Sequence, residues 1–188
     1  KGGGGAKLSS EGQRVLRLYQ KLQALQAQVL EAAEDASDLD LLGRLMLRTS
    51  ARNQLHGKVV AIKAQGRNDL IRLELAEGLC LDAQITHDST VHLELQTGSQ
   101  VVALIKAGWL ELLASDQPAT PGHNHLEGTI EVILDADDGP SEVRISLPNG
   151  HTLCALAEPQ DMRSRGLAVG QPVHVQFSPS NVLLGTSL

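Results

Sequence analysis

Asn53-Gln54-Leu55-His56-Gly57-Lys58-Val59 returns as Asn124-His125-Leu126-Glu127-Gly128-Thr129-Ile130, aligned without a gap. Each copy carries asparagine first, leucine third, glycine fifth and a β-branched residue seventh. Two further anchors follow in the same order. Gly78-Leu79-Cys80-Leu81 aligns with Thr152-Leu153-Cys154-Ala155, and Gly98-Ser99-Gln100-Val101 with Gly170-Gln171-Pro172-Val173. The offsets of 71, 74 and 72 residues differ only by loop-sized changes. Such ordered self-similarity marks a duplicated unit.

Around these anchors the apolar runs are short, β-branched and punctuated by Gly, Asn, Asp and Pro, which reads as strands. In the first copy they cover residues 57–64, 69–76, 79–85, 100–106 and 109–113. Ile71, Leu73 and Leu75 alternate with Arg72 and Glu74, the period of a half-buried strand. Residues 89–95 fit two readings. Thr86 or Ser89 caps a short helix there, or Val91, Leu93 and Leu95 alternate as a strand. Five short strands and one helical turn per copy suit a small antiparallel barrel of OB type. The expected organisation is module 1 over residues 50–117, a Pro/Gly linker over 118–122 and module 2 over 123–188.

Residues 1–49 have a different texture. Gly2 to Gly5 carry too much backbone entropy for regular structure. Ser10-Glu11-Gly12-Gln13 reads as a capping box opening a helix over residues 11–34. Val15, Leu18, Leu22, Leu25 and Val29 recur at spacings of three and four, giving a narrow apolar seam. A second capping signal, Ser37-Asp38-Leu39-Asp40, opens a shorter helix through Met46. The seam points to a helical dimerisation connector over residues 8–49, preceded by a flexible end over 1–7.

Composition removes several classes. The chain has 22 acidic against 16 basic residues, net charge −6, and one residue each of Trp, Tyr and Phe. It therefore offers neither a basic stripe nor an aromatic platform for nucleic acid. Cys80 and Cys154 each sit in an apolar run and read as small buried hydrophobes rather than a disulfide framework. No apolar run approaches the roughly 20 residues of a membrane span. No signal peptide is visible, so the expected location is cytoplasmic. There is no Walker A or G-x-G-x-x-G loop. His123, His125 and His151 form the one histidine cluster, without a Cys or carboxylate at ligand spacing. The expectation is no metal ligand and no enzyme.

What remains is a set of donors. Ser50 and Arg52 open the first module, Thr86 and Ser89 lie at its middle, and Lys106-Ala107 ends its last long strand. A tetrahedral dianion accepts hydrogen bonds on every oxygen and donates none. Hydroxyls, a guanidinium, an ammonium and backbone N–H groups make a donor-only set that gains from charge assistance. The second copy departs here. Pro121 stands for Ser50, His123 for Arg52 and Ser178 for Lys106, while Thr86 and Ser89 fall near Gln160 and Arg163.

Thr49-Ser50-Ala51-Arg52-Asn53-Gln54, Ile85-Thr86-x-x-Ser89 and Leu104-Ile105-Lys106-Ala107 resemble the Mop modules of molbindins and of molybdate-responsive transcription regulators. The opening glycines and the Gly12-Gln13-Arg14 helix resemble the end of such a regulator's winged-helix domain and its connector. The resemblance implies a mainly β fold of two tandem OB-like Mop barrels behind the connector. It implies a homodimer that binds molybdate or tungstate at the subunit interface. Ser50 and Arg52 would come from one subunit, and Thr86, Ser89, Lys106 and Ala107 from the other. The operator DNA would be read only by the missing N-terminal domain. The alternative is a stand-alone molbindin-type storage protein, which has no need of the connector helix.

Charged hydrogen bonds contribute roughly 1.5–3 kcal/mol and neutral ones about 0.5–1.5. Calorimetric titration with molybdate should therefore show Arg52→Ala weakening binding more than Ser89→Ala, with His123→Ala unchanged. Loss of binding in the His123 variant with Arg52→Ala unaffected would favour a metal site instead.

Overall fold

The computed structural model describes residues 9–32, 49–76, 78–148 and 150–186. The chain divides into two compact units, Lys1–Arg48 and Thr49–Leu188. In the first, helix α1 spans Ser10–Ala32. Its cap is Ser9, one residue before the expected Ser10. The Ser9 hydroxyl accepts from Gly12 N–H at 3.1 Å and its carbonyl from Gln13 N–H at 2.9 Å. Ser9 is an equally good cap, and starting there puts Glu11 in the first turn, where it pairs with Arg14. Val15 and Leu18 of the seam are 55% and 66% exposed. The expected second helix lies outside the described residues.

The second unit holds ten strands. The first repeat supplies β1 (Asn53–Gln65), β2 (Asn68–Ala76), β3 (Leu79–Thr86), β4 (Gln100–Ile105) and β5 (Glu111–Ala114). The second supplies β6 (Asn124–Leu134), β7 (Ser141–Ser146), β8 (Thr152–Ala157), β9 (Pro172–Phe177) and β10 (Leu183–Gly185). Short helices α2 (His87–His92) and α3 (Pro159–Ser164) follow β3 and β8, and 3-10 turns at Ala107–Trp109 and Pro179–Asn181 follow β4 and β9. Residues 89–95, open between helix and strand, thus begin in α2.

The strands form two antiparallel sheets, ordered β10-β4-β1-β2-β3 and β5-β9-β6-β7-β8. Each sheet takes four strands from one repeat and its fifth from the other. β5 of the first repeat pairs with β9, and β10 of the second pairs with β4. Five strands per repeat was the expected number, but the last strand of each serves its neighbour. One apolar cluster consequently runs through both repeats, including Leu55, Val59, Ile71, Leu126, Ile130, Val143 and Phe177.

The repeat motif has a geometric reason. A Cβ at Gly128 would stand 2.7 Å from the Ser146 carbonyl, and one at Gly57 3.0 Å from that of Glu74. Both glycines let the long strand bend closely over its hairpin partner. Register shifts at Val59/Ala61 and Ile130/Val132 repeat the bend in both copies. One anchor needs correction. Asp82 stands opposite Arg72 as Cys154 stands opposite Arg144, so the equivalent of Cys154 is Asp82 and not Cys80. Cys80 is also exposed rather than buried, because β3 is a sheet edge and Cys80 falls on its outer face.

The leading asparagines join the repeats. Asn53 Nδ2 donates to the carbonyls of Ile105 at 3.1 Å and Cys154 at 2.9 Å, and its Oδ1 accepts from Cys154 N–H at 2.7 Å. Asn124 makes the reciprocal pair with the backbone of Asp82, at 2.6 and 2.8 Å. Both asparagines are buried. Replacing Asn53 by alanine leaves three buried backbone groups short of a partner, each costing about 1–3 kcal/mol. Urea unfolding should show Asn53→Ala losing about 3 kcal/mol or more, and Asn124→Ala, with two groups affected, losing less. A loss in both variants no larger than that of an ordinary surface substitution would contradict this role.

Candidate oxyanion-binding site

Register sets where the donors stand. β1 and β4 begin their pairing at Asn53 and Ile105. Arg52 and Lys106 are the next residues outward, so both leave the same end of this strand pair. Asn53, bonded to the Ile105 carbonyl, fixes that end. Ser50 precedes Arg52 in an exposed bend, while Ala51 is buried and donates its N–H to Thr49 Oγ1 at 3.2 Å. The Lys106 ammonium lies 5.0 Å from the Trp109 ring centroid and is attracted to the ring face. Ala107 is buried at the start of the 3-10 turn.

Thr86 and Ser89 form a second group. Thr86 ends β3 and caps α2, its Oγ1 accepting from Ser89 N–H at 3.1 Å and lying 2.8 Å from Ser89 Oγ. The two hydroxyls therefore lie side by side, bonded to one another. Among the described residues no hydrogen bond joins Thr86 or Ser89 to Arg52, Lys106 or Ala107. β1 separates the groups: Arg52 precedes its first residue, whereas Thr86 pairs with Asn68, itself opposite Gln65 at the far end.

The arm carrying Thr86 is anchored by Asp69. This buried carboxylate is held below its ordinary pKa by hydrogen bonds from Thr90 and then His87, whose Nδ1 lies 2.9 Å from Asp69 Oδ2. Sequence reading missed Asp69. The signal was a carboxylate in phase with the inward-facing Ile71 and Leu73 of an alternating strand.

The second repeat has the same frame and different chemistry. Glu158 precedes α3 as Thr86 precedes α2, and Asp161 is the third residue of α3 as Ser89 is of α2. These replace the expected counterparts Gln160 and Arg163, by the same two-residue slip that misplaced the Cys80 anchor. Ser178 precedes its 3-10 turn as Lys106 does, without the positive charge. Two carboxylates where the first repeat has two hydroxyls offer an oxyanion only acceptors.

The histidines go elsewhere. His123 is exposed in a turn, and His125 stacks edge-on against His174 at 4.3 Å. Among the described residues no three metal-ligating side chains cluster. Burial, and then the nearby Glu142, push the Cys154 thiol pKa up, away from the reactive thiolate.

A duplicated β module of this kind defines a class. Residues 49–112 and 120–184 each match the TOBE domain. Within it, the chain is 35% identical over 192 residues to the transcriptional regulator ModE of Yersinia pestis, covering 99% of this chain and 73% of that protein. It is 32% identical to the molybdenum-pterin-binding protein MopB of Rhodobacter capsulatus, covering 98% and 69%. A solved structure of the cytoplasmic molybdate-binding protein ModG with molybdate bound superposes with TM-score 0.71 at 30% identity, over 75% of this chain and 100% of that one. The chain belongs to the TOBE-domain family of ModE regulators.

Since the folded pKa of Asp69 is lowered, its stabilisation is full above the ordinary carboxylate range near 3.9 and fades as pH falls through the depressed value. Thermal melts should show Asp69→Asn less stable than wild type at pH 7, with the gap narrowing below pH ~4. A gap independent of pH would contradict this.

Proposed function

We infer that this chain is the molybdate-binding region of a molybdate-responsive transcription regulator, with molybdate or tungstate as its effector ligand. The observation that carries this is the contrast between repeats. Ser50, Arg52, Thr86, Ser89 and Lys106 stand where the second repeat has Pro121, His123, Glu158, Asp161 and Ser178. One copy of the frame carries two cations and three hydroxyls at these places, and the other carries a proline, an imidazole, two carboxylates and a single hydroxyl. The regulator reading is favoured over storage by coverage: the ModE relative matches 99% of the chain and the ModG structure 75%.

The finer picture extends this reading. The anion sits between two copies of the chain, with Ser50 and Arg52 of one facing Thr86, Ser89 and the Lys106-Ala107 turn of the other. Two observations support the sharing. The Arg52 group and the Thr86–Ser89 pair are not bonded to one another within a chain. The exposed Val15 and Leu18 offer an apolar seam to a second α1. An anion tied to both copies favours the subunit placement that closes its site, which is how an effector shifts an equilibrium. Operator DNA is read by a separate N-terminal domain. Among the described residues no helix is long and apolar enough to cross a membrane, and a cytoplasmic location fits the reading.

Calorimetric titration should give one molybdate or tungstate per chain and much weaker binding of sulfate. Fixed donors around the larger anion leave some unpaired around the smaller, at about 1–3 kcal/mol each. Comparable sulfate and molybdate affinities would refute the reading, and two equal sites per chain would refute the silence of the second repeat.

A further inference from the structure

We propose that Glu142, on the second repeat, lowers oxyanion affinity: it holds Arg52 in an ion pair that has to be exchanged for the incoming anion. This rests on the oxyanion reading of Arg52 given above. Arg52 Nη2 donates to Glu142 Oε2 at 3.0 Å. Glu142 does not follow Arg52, because its other oxygen accepts from Arg144 Nε at 3.0 Å, two residues along β7. Its side chain is 21% exposed against 58% for Arg52. The fixed partner is therefore the carboxylate, and the movable one is the guanidinium.

A carboxylate and a deprotonated oxyanion are both pure acceptors. They cannot bond one another, they repel, and they compete for the same cation. When Arg52 turns to the anion, Arg144 still pairs with Glu142, so the exchange leaves no carboxylate without a cation. Arg144 thus makes the exchange feasible, and Glu142 makes it costly.

Among the described residues the arrangement occurs once. The residue of β2 equivalent to Glu142 is Leu70, since Leu134 pairs with Glu142 as Lys63 pairs with Leu70. The residue equivalent to Arg52 is His123. The second repeat therefore lacks both cations at the equivalent positions and aims a carboxylate at the first repeat's arginine. It acts on the site as a counterweight, holding affinity below what the donor set alone would give.

The test is molybdate titration of the full chain carrying Glu142→Gln, with Glu142→Leu as a second variant that copies the first repeat. An ion pair this exposed is a modest competitor, so the dissociation constant should fall about fivefold in both. In the Arg52→Ala background, Glu142→Gln should have no effect, since the arginine through which it acts is gone. Unchanged or weaker binding in both Glu142 variants, with melting temperatures near wild type, would overturn the proposal. So would tightening that persists without Arg52, which would mark a general charge effect. If the wild-type chain fails to bind molybdate, the oxyanion reading itself falls, and this inference with it.

Discussion

Asn53 is a buried amide with three backbone bonds, and the site depends on where those bonds lead. One reaches Ile105, the residue before Lys106; the other two reach Cys154, on the sheet of the second repeat. The residue before Asn53 is Arg52. A single side chain therefore ties together the strand ends that carry the guanidinium and the ammonium, and ties both to the opposite repeat. Asn124 likewise ties its repeat to Asp82 of the first, in the other direction. Buried amides of this kind have to be satisfied or they destabilise the fold. The two repeats consequently have little freedom to separate, and the exchange of β5 and β10 between sheets adds to that constraint.

Within this frame, the two copies differ mainly in their exposed side chains. The glycine-mediated bend, the bulge, the asparagine and the turn after the fourth strand persist in both repeats, because packing demands them. The donors do not. Glu158, Asp161 and His123 cost the fold nothing at exposed positions, so nothing in the packing opposes them. A net charge of −6 does not by itself oppose anion binding, since the local placement of donors and not the net charge decides it.

Much of this was legible in the residues. β2 alternates, so its extent was readable to within a residue. The motif beginning at Asn53 revealed the duplication, and the resemblance to Mop modules gave molybdate as the ligand. Other features were not local. Residues 111–114 read as a strand whichever sheet they join, so the exchange was invisible. Cys80 and Cys154 matched by identity, whereas the equivalence is set by pairing to Arg72 and Arg144. At residues 89–95, a strand-like alternation of Val91, Leu93 and Leu95 competed with the Thr86 cap, and the cap prevailed. Glu142 lies 90 residues from Arg52, and only the fold brings them together.

We propose that one anion is held by two copies of the chain. It is tested by mixing an Arg52→Ala chain with a Thr86→Glu chain, the latter copying what Glu158 does in the second repeat. Each variant alone should bind molybdate poorly. If the site is shared, one interface of the mixed dimer carries both lesions and the other carries none. Titration of the mixture should then recover a population of sites with wild-type affinity. If Arg52 and Thr86 instead serve a site within one chain, every site in the mixture is damaged and no tight binding returns, which would contradict the account.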